Sequence, residues 1–420
     1  MQLQACGSNA QGQLGIGSLE DTPWLQAVSV VEGEFLDAIS VALGSNHTLV
    51  VTRGGTLLGT GSNACGQLGL SIDGHWTRLR RLALPFTTHQ NETTFRAVFS
   101  GWNTSFAVDA IGNVWAFGDD SHALLAGAQQ PLFANIDAGA GHVTKIAVGL
   151  RHALALFSSG RVLVWGDSKL GALGTHVPPS ARVDGTTFTR AFKLVLANGC
   201  DAFVDIAAGQ FHSVVITAAD KRQVVVLGNS KKNRVGQLGF AEPGLPAPAI
   251  TANSTSIIPS SKSEDNLEHV LDLAFLLSPE SIPTRVHCGW SHSAIILSSG
   301  DCIMWGRNDM GQIPRSMDAV KTSSQTSTCF TTPIVIPALF KTRKMQLASE
   351  SGIAILSDGR VCSWGWNEHG NCGSGSRNAV FLGVGSDMSS SVSMKGTEGK
   401  EIVDAWCGFG HAFISMTVIT

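Results

Sequence analysis

The sequence predicts an all-β fold, a seven-bladed β-propeller closed by pairing of its N- and C-terminal strands, and three observations carry that prediction. A glycine-rich decapeptide recurs seven times along the 420 residues. A G-x-x-H step, followed by an alternating apolar run, a turn and a second run, also recurs seven times. The chain opens with the second half of one such hairpin, QLQACG, and stops after the first half of another, Gly408 to Thr420. Seven of each half-motif balance only if strand 411–419 pairs with strand 2–6. Radial closure lets small sheets cover one another and leaves only short edges.

In chain order the decapeptide reads CGSNAQGQLG (Cys6 to Gly15), TGSNACGQLG (Thr60 to Gly69), a worn FGDDSHALLA from Phe117, and WGDSKLGALG (Trp165 to Gly174). It continues as LGNSKKNRVGQLG from Leu227, WGRNDMGQIP from Trp305 and WGWNEHGNCG from Trp364. The hairpin motif is clearest in ALGSNHTLVVTRGGTLLGTG (Ala42 to Gly61) and AVGLRHALALFSSGRVLVWG (Ala147 to Gly166). Period-two apolar runs on either side of Gly-Gly or Ser-Gly mark a β-hairpin. Other copies begin at Gly101, Gly209, Gly289 and Gly408, with a degraded one at Ser349. The whole chain, 1–420, reads as one propeller, with repeats near 5–58, 59–115, 116–163, 164–225, 226–303, 304–362 and 363–420. Polar, aperiodic stretches at 251–270, 319–332 and 386–400 read as surface loop insertions.

Composition agrees with the repeats. Gly is present 47 times, against roughly 29 at average usage, and the motifs account for the excess. Tyr is absent beside 10 Trp and 19 Phe, and nothing in the repeats explains that absence. Net charge is −3, so the electrostatic footprint of a nucleic-acid binder is missing. The short basic clusters Arg78, Arg80, Arg81 and Lys231, Lys232, Arg234 read as solvated loops. Nine scattered Cys with no C-x-x-C pair argue against a disulfide framework or a zinc site. Reduced thiols and the lack of a secretory signal point to the cytoplasm, with the nucleus also open to the protein. The longest apolar stretch, Val270 to Leu277, is too short to span a bilayer, so no membrane partner is expected.

The alternation of W-G-x-N-x-x-G-Q-L-G with G-x-x-H-[ST]-x-x-L resembles the regulator-of-chromosome-condensation repeat family, whose members are seven-bladed propellers. Within it, SWGWNEHGNCG (Ser363 to Gly373) is similar to the final-blade segment of the alpha-tubulin-suppressor or killer-toxin-insensitivity-thirteen group, and of the related secretion-regulating exchange-factor-like proteins. The resemblance to that group implies a non-enzymatic protein that binds a small zinc-binding electron-carrier protein and supports diphthamide synthesis and Elongator-dependent wobble-uridine modification of transfer RNA. Elongator itself is a further implied partner. The family's founder is instead a guanine-nucleotide exchange factor for the small GTPase Ran, so exchange on a small GTPase is the alternative.

Enzymatic chemistry finds no foothold. The chain has no G-x-x-x-x-G-K-[ST] phosphate loop and no G-x-S-x-G nucleophile elbow, and no cofactor or metal is expected. Five histidines recur at one offset, His47, His152, His212, His292 and His411, with Thr104 and Gly352 in the other two copies. One per blade, they are too far apart to share an ion, and each is expected to cap its strand by bonding neighbouring backbone. Trp165, Trp305, Trp364 and Phe117 share one repeat position and read as inter-blade core. The residue after the G-x-x-H glycine is Trp102, Trp290 and Phe409 in three blades, and Ser45, Leu150, Gln210 and Glu350 in the others. An aromatic in a turn, unrepeated from blade to blade, is a candidate binding anchor. The loop of Trp366, Asn367, Glu368 and His369, carrying an aromatic, an acid and an imidazole, is the second candidate partner contact.

Overall fold

The computed structural model describes residues 2–31, 36–70, 74–84, 93–122, 124–125, 131–133, 138–167, 170–175, 191–219, 222–240, 257–259, 266–274, 276, 278, 280–314, 328–378, 380–381, 394, 397 and 399–418. Their strands form seven small antiparallel sheets, the blades of a seven-bladed β-propeller. Sheet 1 runs Ala38–Leu43, His47–Thr52, Leu57–Ser62, His75–Arg81, and sheet 2 runs Phe95–Ser100, Thr104–Asp109, Val114–Gly118. Sheet 3 holds Val143–Val148, His152–Phe157, Val162–Gly166 and Phe192–Lys193. Sheet 4 holds Phe203–Ala208, His212–Thr217, Val224–Asn229, Asn266–Val270 and Ile257–Pro259. Sheet 5 is Pro283–Cys288, His292–Leu297, Cys302–Arg307, Cys329–Val335, and sheet 6 is Thr342–Leu347, Ser351–Leu356, Val361–Trp366, Val380–Phe381. Sheet 7 is composite: Lys400–Cys407 and His411–Val418 from the C-terminus pair with Gln2–Gly7 and Thr22–Ala27 from the N-terminus. The closing register runs from Gln2 opposite Met416 to Gly7 opposite His411, as the half-motifs require.

The chain groups into two compact units. The first comprises Met1–Asp137, Lys344–Gly383 and Ser391–Thr420, and the second Ala138–Arg343 and Val384–Ser390. In both, the second strand of a sheet is buried along its whole length, as in His47–Thr52 and His212–Thr217. A strand covered on both faces needs a nearly continuous apolar run, which HTLVVT and HSVVIT supply. In the first unit Leu49, Val51, Trp115 and Phe117 share one core, and Leu3, Leu58, Leu79 and Phe413 share another. In the second, Val226, Leu238, Val286 and Trp305 pack together across sheets 4 and 5. The tryptophan position of the repeat is core: Trp165, Trp305 and Trp364 are fully buried, and the Trp305 indole N–H donates to the Gln237 carbonyl at 3.0 Å. Among the described residues no helix is long and apolar enough to cross a membrane.

The motif glycines have a steric cause. Gly61 and Gly365 sit at φ +93° and +98°, and a Cβ there would meet the Asn46 and Glu350 carbonyl oxygens at 2.4 and 2.5 Å. Only glycine allows that approach. First strands carry a bulge near their start, as between Phe203 and Asp205. In sheet 4 it aims Asp205 at Lys145 of sheet 3, with Oδ1 2.7 Å from Nζ, and its Oδ2 accepts the Val286 N–H of sheet 5 at 2.8 Å.

Two expected loops contain strands. Residues 251–256 and 260–265 lie outside the described residues, but Ile257–Pro259 and Asn266–Val270 extend sheet 4. The Glu and His of NLEHV hid this strand. Glu268 is buried because its carboxylate accepts the Thr175 N–H and hydroxyl and the Ala197 N–H, and His269 packs on Phe240. Residues 319–327 lie outside the described residues, whereas Cys329–Val335 is an edge strand of sheet 5. Of 386–400, Met394 is buried in the sheet 7 core beside Ile402 and Met416, and 386–393, 395–396 and 398 lie outside the described residues.

Candidate partner-binding site

The turn that enters each second strand positions the candidate anchors. In sheet 1 the Gly44 N–H donates to the His47 carbonyl at 2.9 Å, and in sheet 2 the Gly101 N–H donates to the Thr104 carbonyl at 2.8 Å. The His ring folds back under the glycine: a Cβ on Gly44 would lie 2.0 Å from His47 Cε1, and one on Gly209 2.1 Å from His212 Cε1. His47, His212 and His411 do not cap backbone, contrary to the expectation from sequence. They clamp neighbouring blades. His47 Nε2 meets the Ser105 hydroxyl of sheet 2 at 2.8 Å, and that hydroxyl donates to the Gln67 carbonyl at 2.7 Å. His411, Thr48 and the Gln13 carbonyl repeat the relay, as do His152, Ser213 and the Ala172 carbonyl in the second unit. With the hydroxyl hydrogen committed to a carbonyl, the ring nitrogen must be the donor. Burial lowers the pKa of His47, His212 and His411 to about 3 and of His152 to about 4, so the clamps are neutral at pH 7.

Sheet 6 corrects the reading of the degraded copy by one residue. Its turn is closed by Ala348 N–H donating to the Ser351 carbonyl at 2.8 Å, and Ser351 pairs opposite Gly365 as His47 pairs opposite Gly61. Ser351, not Gly352, therefore takes the His position, and Ser349, not Glu350, the anchor position. Gly352 is required elsewhere: a Cβ would lie 2.3 Å from the Trp364 ring.

Among the anchors, the fold brings Trp102 and Phe409 together. Their rings meet edge to face at 5.0 Å and 72°, Trp102 exposed at 38% and Phe409 half-buried. The turns beneath them are tied to neighbours: the Ser45 N–H donates to the Trp102 carbonyl at 2.9 Å, the Ser45 hydroxyl lies 2.8 Å from the same oxygen, and the Ser349 hydroxyl donates to the Phe409 carbonyl at 3.0 Å. Trp290 lies in the second unit, half-buried, its carbonyl accepting the Gln210 N–H at 2.8 Å. Aromatic rings on fixed backbone lose little entropy when a partner covers them.

The second candidate divides. Asn367 is fully buried: its Oδ1 accepts the Cys372 N–H at 2.8 Å and its Nδ2 donates to the Ser376 carbonyl at 3.1 Å. Asn9, Asn63, Asn233 and Asn308 accept the N–H five residues on in the same way, and Asp120 does so in the worn copy. Asn367 therefore organises its loop and is removed from the contact set. Trp366 is half-buried and edge to face with His369 at 5.1 Å. His369 Nδ1 lies 2.6 Å from Asp21 Oδ2, and Arg377 donates to the Asp21 carbonyl at 2.6 Å. The loop is thus fastened to the edge strand of sheet 7, leaving Glu368 exposed. Sequence reasoning missed Asp21 and Ser45. Asp21 lies outside every repeat position, whereas Ser45 stood at the anchor position and signalled only by its hydroxyl.

Among the described residues no group of three or more His, Cys, Asp and Glu could hold a metal ion. The nine cysteines are free, and burial pushes Cys6 and Cys288 up to about 12.

The RCC1-like domain profile matches residues 2–414. The secretion-regulating guanine nucleotide exchange factor of Mus musculus is 30% identical over 395 residues, covering 90% of this chain and 77% of that protein. Its Bos taurus counterpart is 29% identical with the same coverage. Among solved structures, Prp20p of Saccharomyces cerevisiae, described with its binding properties to Gsp1p and histones, superposes with TM-score 0.77 at 18% identity, covering 100% of this chain and 92% of that one. Human WBSCR16 gives TM-score 0.70 at 18% identity, covering 99% and 98%.

Proposed function

Because the chain belongs to the RCC1-like domain family, we propose that it is a non-enzymatic protein-interaction propeller whose partner seats on the Trp102 and Phe409 rings. One observation carries this reading: residues far apart in the chain, from sheets 2 and 7, present an aromatic pair at 5.0 Å with the indole exposed. Trp366, Glu368 and His369, in the same unit, contribute further contacts, and Trp290, in the second unit, is a separate candidate contact. For the partner we propose the small zinc-binding electron-carrier protein, and through it a role in diphthamide synthesis and Elongator-dependent wobble-uridine modification, in the cytoplasm, with the nucleus also open to the protein. What supports that choice is the similarity of Ser363 to Gly373 to the killer-toxin-insensitivity-thirteen group.

The name carried by the two mammalian relatives favours a second reading, nucleotide exchange on a small GTPase. Two measurements separate them. Capture from native lysate with the wild-type chain is expected to recover the zinc carrier, and Trp102→Ala is expected to lose it. A fluorescent-nucleotide release assay over a panel of small GTPases is expected to show no acceleration. Acceleration with any member, together with no carrier recovered, would replace the first reading by the second.

A further inference from the structure

Arg78, Arg80 and Arg81, which read from sequence as a solvated loop, lie on the edge strand His75–Arg81 of sheet 1, and we infer that this strand is a docking strip for a short acidic polypeptide segment. The inference is independent of the aromatic anchors.

The strand is built to present guanidinium groups. Gly61 pairs opposite Trp76 and Gly59 opposite Arg80, so four steps on this strand face two on its partner. The bulge turns Leu79 inward, fully buried beside Leu3, Leu14 and Leu58. Its backbone is held by the segment Ser29 to Val31, its N–H donating to the Ser29 carbonyl and its carbonyl accepting the Val31 N–H, each at 2.9 Å, while the Thr77 carbonyl accepts the Gly17 N–H at 2.7 Å. The same bulge sets the Arg80 guanidinium 5.1 Å from the Trp76 ring centroid. Arg78 lies over Gly17, where an added Cβ would stand 3.4 Å from Nε.

Arg78, Arg80 and Arg81 are all exposed, and among the described residues neither Arg78 nor Arg80 is engaged by a carboxylate. Two guanidinium groups are therefore preorganised on solid supports, with no carboxylate of the described residues on their N–H edges. Stacked arginine is suited to bidentate recognition of carboxylates and loses little entropy in making it. Positions 78 to 81 span about 10 Å of strand, the reach of three or four extended residues. The chain as a whole carries −3, which disfavours a long polyanion such as nucleic acid and favours a short acidic segment that touches only this strip.

The test uses fluorescein-labelled hexaglutamate and the full chain, read by fluorescence anisotropy at low ionic strength and again with added salt. Wild type is expected to bind, with affinity falling as salt rises. Arg78→Glu with Arg80→Glu is expected to weaken binding at least about tenfold, and the neutral pair Arg78→Gln with Arg80→Gln to weaken it in the same direction. Lys231→Glu with Lys232→Glu, an equal change of charge elsewhere, is expected to leave affinity within about twofold of wild type. Unchanged melting temperatures keep the comparison to binding. The inference is overturned if wild type does not bind hexaglutamate, if the neutral pair binds as wild type does, if the lysine variant loses as much, or if single-stranded oligothymidine of equal charge binds the strip more tightly.

Discussion

At Gly61 and Gly365 the repeat leaves no room for a side chain. Positive φ and a carbonyl oxygen within 2.5 Å of any Cβ act together, so Gly365→Ala is expected to cost about 2 to 3 kcal/mol in chemical denaturation, more than the same change at Gly359, which shares the positive φ, +87°, but where a Cβ would meet nothing within 4 Å. Asn367 and Trp102 give opposite signatures. Asn367→Ala strands the Cys372 N–H in the interior and is expected to lower stability by about 1 to 3 kcal/mol. Trp102→Ala, at an exposed ring, is expected to leave the denaturation midpoint nearly unchanged while removing about 2 kcal/mol or more of partner binding. Equal stability losses in the two variants would show that Trp102 is a packing residue. Sequence alone could not separate these two, because a lone Asn in a loop and a lone Trp in a turn both look available for contact. The separation needs the burial of Asn367 and the protrusion of Trp102.

Within each unit a histidine clamp joins neighbouring blades. The His47, His152, His212 and His411 rings donate to a hydroxyl of the following sheet, and burial keeps them neutral. The unfolded chain takes up protons near pH 6.5, whereas His47, His212 and His411 stay neutral until about 3 and His152 until about 4. Stability is therefore fully present above pH 6.5 and falls as the pH drops through that window, by up to about 1.4 kcal/mol per pH unit for each histidine. Denaturant melts at pH 7.5, 6 and 5 check the sign, and a midpoint that held or rose on acidification would contradict it. Thr48→Val, which keeps the shape but removes the His411 acceptor, is expected to cost about 1 to 3 kcal/mol. The G-x-x-H spacing revealed that these histidines are equivalent, but not what they bond, because the acceptor belongs to the next repeat. The recurrence of Ser or Thr directly after the His position, at Thr48, Ser105, Ser213 and Ser293, was the available signal. In sheet 6 the same absence of a His allowed Gly352 to be mistaken for its position.

For the whole molecule, closure was legible because the two ends carry complementary halves of one hairpin, and the pairing of Gln2–Gly7 with His411–Val418 follows. What was not legible is what lies between repeats. Asn266–Val270 is a strand whose alternation is broken by a buried Glu, and Met394 is a core residue in a serine-rich stretch. Both depend on partners that no local pattern encodes. Removing Gln2–Gly7 would leave His411–Val418 with an open edge and uncover Phe413 and Ile414. That truncation is expected to lose cooperative unfolding and to associate, by calorimetry and light scattering. The central claim is that this propeller binds a protein partner through the rings that sheets 2 and 7 bring together. Calorimetric titration of the purified zinc carrier into wild type and into Trp102→Ala with Phe409→Ala tests it most directly. Saturable binding by wild type, weakened at least about thirtyfold in a double variant that unfolds like wild type, is the predicted result; equal affinity in both, or no binding by wild type, would contradict it.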